Sequence, residues 1–344
     1  MTRIGFLPFG HNPAAPGSQT PTAADALIQG IELAEAAEEI GLDGAYFRVH
    51  HFARQGASPF PLLAAIAART KRIEIGTGVI DRRYENPLYM AEEAAAADLI
   101  SGGRLQLGVS RGSPEPALRG SESFGYVPAE GQTDADVARD HTAVFRAAIA
   151  GKPMAVAAGA RNGEAPATLA IQPQSPGLSD RIWWGAGTRA TAEWVAALGM
   201  NLMSSTLLTE DTGVPFDQLQ AEQIGLYRAA WLEAGHERTP RVSVSRSVLP
   251  VVSDFDRRLF GDGRGQSDQV GILDGALSRF GKQYIGSPEA IAEELSKDAA
   301  VRAADTLLLT VPNQLGVDYN AQMLKTIADN VAPAIGWVSA NQPA

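Results

Sequence analysis

Cysteine is absent from the chain, which excludes disulfides, thiolate nucleophiles and zinc–thiolate sites. Basic residues are outnumbered by acidic ones. The net charge of −10 argues against nucleic acid or an anionic membrane as partner, because both demand a basic face. No apolar run reaches the length needed to span a bilayer. The first residues have too short an apolar stretch for a secretory signal and lack a small-residue cleavage site. A cytoplasmic protein is expected, with neither a nucleic-acid nor a membrane partner.

What is present is the composition of an ordinary globular protein, 45% hydrophobic and 20% charged. A chain of 344 residues exceeds the usual domain size, yet (β/α)8 barrels with insertions reach it as one domain. Short β-branched or apolar runs alternate with segments of helical period, the signature of βαβ units and a parallel sheet. Eight strands are read at residues 4–9, 44–51, 73–80, 105–110, 182–186, 201–205, 242–248 and 306–311.

Helices are read between them. Thr22 opens the first and Gly41 closes it, with Leu27, Ile28, Ile31, Ala34 and Ile40 on one face. Others span 61–69, Asn86-Pro87 to Ile100, 134–150, 188–198, 218–234, a helix opened by Ser287-Pro288, and 319–330. The pattern breaks over residues 112–180, read as an insertion after strand 4, with a hairpin within 154–171 turning at Arg161-Asn162-Gly163. It breaks again after strand 7, at residues 253–282, polar and glycine-rich. The fold expected is a single α/β domain over 1–344, a (β/α)8 TIM barrel with that insertion and a lid after strand 7. A surface loop with no role is the other reading of the last segment.

Ligand sites of such barrels lie at the C-terminal ends of the strands. Three features there carry chemistry. His50-His51 ends the second strand; period-two alternation would turn only one imidazole inward. A metal site, as in a metal-dependent barrel hydrolase, is one reading, though no carboxylate cluster with ligand spacing supports it; a general base and a hydrogen-bonded structural histidine are the others. Next, Gly185 to Thr191 joins a strand to a helix, where small residues and a helix N-terminus would cradle a phosphate. Thr188 would serve equally as a plain helix cap. Arg111 offers a guanidinium from another strand end, for a phosphate or for an ion pair.

These residues carry a resemblance over nearly the whole chain. Residues 34–43, Val49-His50-His51-Phe52, 67–79, Asn86-Pro87, 98–112, Phe124-Gly125, 190–194 and Gly286-Ser287-Pro288 follow one another as they do in the bacterial luciferase-like flavin-dependent monooxygenases. The block from Ser101-Gly102-Gly103-Arg104 to Arg111-Gly112 is long and specific. The resemblance implies a (β/α)8 barrel binding FMN, with the phosphate at Arg111, Gly187, Thr188 and Thr191. It implies a non-proline cis peptide between Gly78 and Val79 beneath the flavin, Ser110 beside the ring, and His50 as the catalytic histidine. Val49 stands where the family has glutamate, and Gly187 where luciferase has an acidic residue; the second change suits an FMN phosphate.

The activity so implied is oxidation of a small organic substrate by molecular oxygen through a flavin 4a-hydroperoxide. Reduced FMN would come from a separate flavin reductase, and water must be excluded. The alternatives are a deazaflavin-dependent oxidoreductase of the same fold, whose members usually carry Asp-His or Glu-His where this chain has Val49-His50, and a flavin-binding protein without turnover. The resemblance also implies a homodimer through the helix after Pro87, whose Met90-Ala91 and Ala94-Ala95-Ala96-Ala97 permit close approach; the same face could pack on the barrel instead. Phe9, Phe52, Tyr84 and Trp184 are candidates for an apolar substrate wall.

Overall fold

Glycine, proline and short capping side chains divide the chain into strand and helix, and the apolar runs between them close on one another. The computed structural model describes residues 3–112, 116–159, 165–210, 212–262, 266–273 and 276–341. Eight parallel strands form a closed barrel: β1 (Arg3–Pro8), β2 (Gly44–Phe47), β3 (Glu74–Asp81), β4 (Leu105–Ser110), β5 (Ile182–Ala186), β6 (Asn201–Ser204), β7 (Val242–Arg246) and β8 (Thr306–Val311). Each pairs with its neighbours in sequence, and β8 pairs with β1 from Arg3↔Thr306 to Pro8↔Val311. A ring of helices follows the strands in turn: α1 (Ala23–Ile40), α2 (Pro59–Arg69), α3 (Pro87–Ser101), α4 (Asp134–Ile149), α5 (Arg189–Ala197), α6 (Phe216–Glu233), α7 (Pro288–Lys297) and α8 (Val317–Asn330).

Local chemistry sets the helix ends. Thr22 and Asp25 exchange side-chain and backbone hydrogen bonds in a capping box at the start of α1, and Gly41 ends it at φ 98°. The Asn86 side chain accepts from the N–H groups of Leu88 and Tyr89, and Pro87 follows at the first helical position.

Two apolar layers result. Inside the barrel, Leu7, Tyr46, Trp183, Met203 and Leu308 pack together with Val79 against them. Outside, alternate strand residues such as Ile4, Phe6, Ile75, Leu107 and Leu202 meet the helices. A Cβ on Gly108 would lie 2.2 Å from the Thr77 carbonyl oxygen, so only glycine lets β3 and β4 approach there. The N-terminal end of the barrel is polar: Arg3 and Arg241 both bond the Glu74 carboxylate, at 2.6 and 2.9 Å.

The structure corrects several readings. Strand β2 stops at Phe47 rather than 51. The ladder to β1 holds only Gly5↔Gly44 and Phe6↔Ala45, and Phe52 has φ 55°, so the chain turns away. On α1 the buried face is Gly30, Leu33, Ala34 and Ala37, while Leu27 and Ile28 are 42% and 55% exposed.

On α3, Met90, Ala91, Ala94, Ala95 and Ala97 are all buried within the chain itself. Most of the small-residue face read as a dimer contact is therefore buried in the single chain, with Ala96 half-buried. Segment 112–180 supplies the ring's fourth helix, and its strands Pro153–Val156 and Thr168–Ala170 pair antiparallel as a hairpin; the expected turn at 161–163 lies outside the described residues. Segment 253–282 is not a plain loop. It holds a helix, Asp254–Phe260, and antiparallel strands Gln269–Leu273 and Ala276–Phe280, the second paired with Leu207–Leu208.

Candidate active site

At the C-terminal mouth of the barrel, β3 departs from its register with β4 between Thr77 and Ile80, and the Gly78–Val79 peptide is cis, as expected. Val79 stands on the topmost interior layer, beside Leu7, Met203 and Leu308. A Cβ on Gly185 would lie 3.3 Å from Ser110 Cβ and 3.4 Å from Val79 Cγ1, so the wall is closely fitted there. Above this floor opens a cavity of about 390 Å³ to which every strand or the loop after it contributes. That size is typical of small-molecule and cofactor sites.

His50 lines the cavity from the loop after β2. It is only 8% exposed, and its backbone N–H donates to the Gly56 carbonyl at 2.9 Å. Burial, then the charge of Arg48, then His51 and His11 push its imidazole down to about 4. At neutral pH the ring is uncharged, able to accept a proton at one nitrogen while donating from the other. The Arg48 guanidinium lies 4.6 Å from the centre of the Phe9 ring, another cavity residue.

His51 is turned away. Its ring stacks on Tyr84, with centroids 4.2 Å apart, meets Phe124 edge-on at 5.2 Å, and approaches the Glu85 carboxylate at 3.8 Å. The two histidines diverge as expected, but by a turn of the loop rather than by strand alternation. Phe52 and Tyr84 belong to this cluster and do not line the cavity; Phe9 and Trp184 do.

The opposite side is polar. Ser110 Oγ accepts the Gly112 N–H at 2.8 Å, and Arg111 is exposed at the rim. Gly112, at φ 89°, packs against Asp81: a Cβ there would fall 1.9 Å from Oδ2. Burial raises the Asp81 carboxyl above its ordinary value, opposed by Arg83, whose Nη2 bonds Oδ2 at 2.6 Å.

Thr188 caps α5: its Oγ1 accepts the Thr191 N–H at 3.2 Å and donates to Thr191 Oγ1 at 2.8 Å. The Arg189 N–H is taken by the Glu210 carboxylate at 3.2 Å. The capping reading thus describes the geometry. Gly187, Thr188 and Thr191 nevertheless face the same cavity as Arg111.

All eight site residues read from the sequence, His50, Gly78, Val79, Ser110, Arg111, Gly187, Thr188 and Thr191, line this one cavity. Sequence reasoning missed Ala135, Arg139, Met203 and Thr209, which line it too, as does Asp81. Arg139 reaches the rim from α4, where its guanidinium lies 4.9 Å from the Trp194 ring. Segment 253–282 contributes no described residue to the cavity; its hairpin reaches the rim only through Leu207. Among the described residues no cluster of three potential metal ligands occurs, and no helix is long and apolar enough to cross a membrane.

Comparison with known proteins gives the site its context. A family model described as luciferase-like monooxygenase matches residues 1–258. The oxygenase component of a flavin-dependent trigonelline monooxygenase from Acinetobacter baylyi is 36% identical over 85 residues, 24% of each chain. An F420-dependent glucose-6-phosphate dehydrogenase from Amycolatopsis mediterranei is 38% identical over 100 residues, 27% of this chain and 30% of its own. The alignments span only 24–30% of the length of the first curated relatives. Among solved structures, the oxygenating constituent of 3,6-diketocamphane monooxygenase from Pseudomonas putida, in complex with FMN, superposes over 97% of this chain and 99% of its own. Its TM-score is 0.68 at 18% identity, a likeness of fold.

Proposed function

Because the chain belongs to the luciferase-like monooxygenase family, we propose that it is a flavin-dependent oxygenase that binds reduced FMN in the rim cavity and oxidises a small organic substrate with molecular oxygen. The observation that carries this reading is the polarity of that one cavity. An apolar floor of Leu7, Val79, Met203 and Leu308 faces a rim bearing Arg111, Arg139 and the hydroxyls of Thr188 and Thr191.

A flat aromatic ring system with a phosphate tail has that same division. Val79 and Gly185 would support the ring, Ser110 would lie at its edge, and Arg111, Gly187, Thr188 and Thr191 would hold the phosphate. Bound there, reduced FMN supplies the two electrons that activate dioxygen.

The chain's own task is position, dryness and one proton. Phe9, Trp184 and Val79 keep the reacting end apolar. His50, held neutral, is the group able to accept or return a proton beside the ring. The oxygenase-component name of the trigonelline relative supports a separate reductase as the source of reduced FMN. A homodimer remains part of the reading. The F420-dependent relative keeps a deazaflavin-dependent oxidoreductase as the second reading.

The experiment supplies reduced FMN from an added reductase under isotopically labelled dioxygen and screens aldehydes, ketones and aromatic compounds. Incorporation of one labelled oxygen atom into a product supports the proposal. Turnover that requires F420 and leaves the product unlabelled rejects it.

A further inference from the structure

A second cavity, of about 560 Å³, lies between the first turns of α1 and α2 and shares with the rim cavity only Arg48 among the described residues. Its body is apolar: Leu27, Ile31, Leu33, Phe47, Pro61 and Leu62. This explains why Leu27, on the face of α1 that its period assigns to the core, is 42% exposed. The turn that carries it faces the cavity instead of the barrel.

The walls are tied in place. Thr20 Oγ1 donates to the His11 carbonyl at 2.9 Å, Asn313 Nδ2 to the same oxygen at 2.7 Å, and Gln29 Nε2 to the Gln19 carbonyl at 2.6 Å. A lining that is mostly apolar, with a few fixed polar groups, is that of a small-molecule site.

Charge narrows the occupant. Among the described residues no Asp, Glu, Lys or His lines the cavity, and the guanidinium of Arg48, the charged residue that does, lies against Phe9 on the side of the first cavity. We propose that this cavity is a second binding site, for an uncharged, largely apolar small molecule.

Fluorescence titration with N-phenylnaphthylamine tests it, because the probe is neutral and largely apolar. Its sulfonated analogue, anilinonaphthalene sulfonate, adds one anionic group to the same ring system. The full-length protein should bind the neutral probe saturably at one site, and the sulfonate at least about tenfold more weakly. Ala26→Phe and Ala65→Phe, which fill the cavity from two different helices, should each weaken the neutral probe by about tenfold or more. Saturating FMN should leave the probe bound.

Equal or tighter binding of the sulfonate overturns the proposal, as does full affinity in both folded variants, or displacement of the probe by FMN. Transferred magnetisation from the probe to the methyls of Leu27 and Leu62 in the wild-type protein decides the matter if neither variant folds. Contacts to these methyls uphold the site, and contacts to Val79 or Met203 instead refute it.

Discussion

The imidazole of His51 lies almost flat on the ring of Tyr84, 4.2 Å between centroids and 12° between planes, while its neighbour His50 faces the rim cavity. Adjacent residues of one type therefore have different surroundings, and the proposed function gives them different duties. His50→Asn should lower turnover by about 10²–10⁴-fold, the usual contribution of a positioned acid–base group, with FMN affinity nearly unchanged. His51→Ala should leave turnover near wild type and destabilise the fold by roughly 1–3 kcal/mol, from lost stacking and the space left behind. Steady-state kinetics with a confirmed substrate and thermal melts of both variants check this pair of outcomes.

The pH dependence follows from the same burial. A base that titrates near 4 rather than at the ordinary 6.5 stays competent through mildly acidic conditions, so the acid limb of kcat/KM should fall near 4. Stability has a matching sign. Between 6.5 and about 4 an unfolded His50 takes up a proton that the native one refuses, so stability declines as pH falls through that window. His11, His51 and His141 are also held low by burial and add to the slope. Urea melts of His50→Asn should show a shallower decline than wild type; an unchanged slope would mean that His50 is protonated in the native state.

Arg111 and Arg139 bring positive charge to the rim from β4 and α4. Charge-assisted bonds to a phosphate contribute on the order of 1.5–3 kcal/mol, so Arg111→Ala should weaken FMN by roughly tenfold to a hundredfold. Arg139 also rests on Trp194, so Arg139→Ala should weaken FMN less. Isothermal titration of the three proteins gives the ranking, and equal affinities would move the phosphate elsewhere.

Gly112 has no room for a side chain. A Cβ would fall 1.9 Å from the Asp81 carboxylate, and φ is 89°. Gly112→Ala should therefore cost about 1–3 kcal/mol and loosen the Asp81–Arg83 pair. A differential scanning trace of the variant, compared with wild type, measures it.

The parts legible in the sequence are those with local signals. Strands β4, β5 and β8 have the bounds read from their apolar runs, and Thr22, Asn86 and Thr188 cap the helices they were expected to open. What escaped depends on partners far along the chain. Arg48-Val49-His50-His51 reads as strand by composition, but β1 offers β2 no further ladder. The strand Ala276–Phe280 lies in a glycine-rich segment without clear period and is held by its ladders to Gln269–Leu273 and Leu207–Leu208. Arg139 and Ala135 sit on an amphipathic helix whose period shows which face is buried, not that its first turns reach the rim. The site residues were found because strand ends narrow the search and the family resemblance names positions within it; the cavity's outer wall comes from the connections, where periodicity carries no register.

The central claim is that the rim cavity is built for reduced FMN, and anaerobic calorimetric titration tests it most directly. Reduced FMN and reduced F420 are titrated separately into wild-type protein and Arg111→Ala. The account predicts one site for reduced FMN, bound more tightly than reduced F420 and weakened roughly tenfold to a hundredfold by the substitution. Saturable binding of reduced F420 with no measurable uptake of reduced FMN would contradict it.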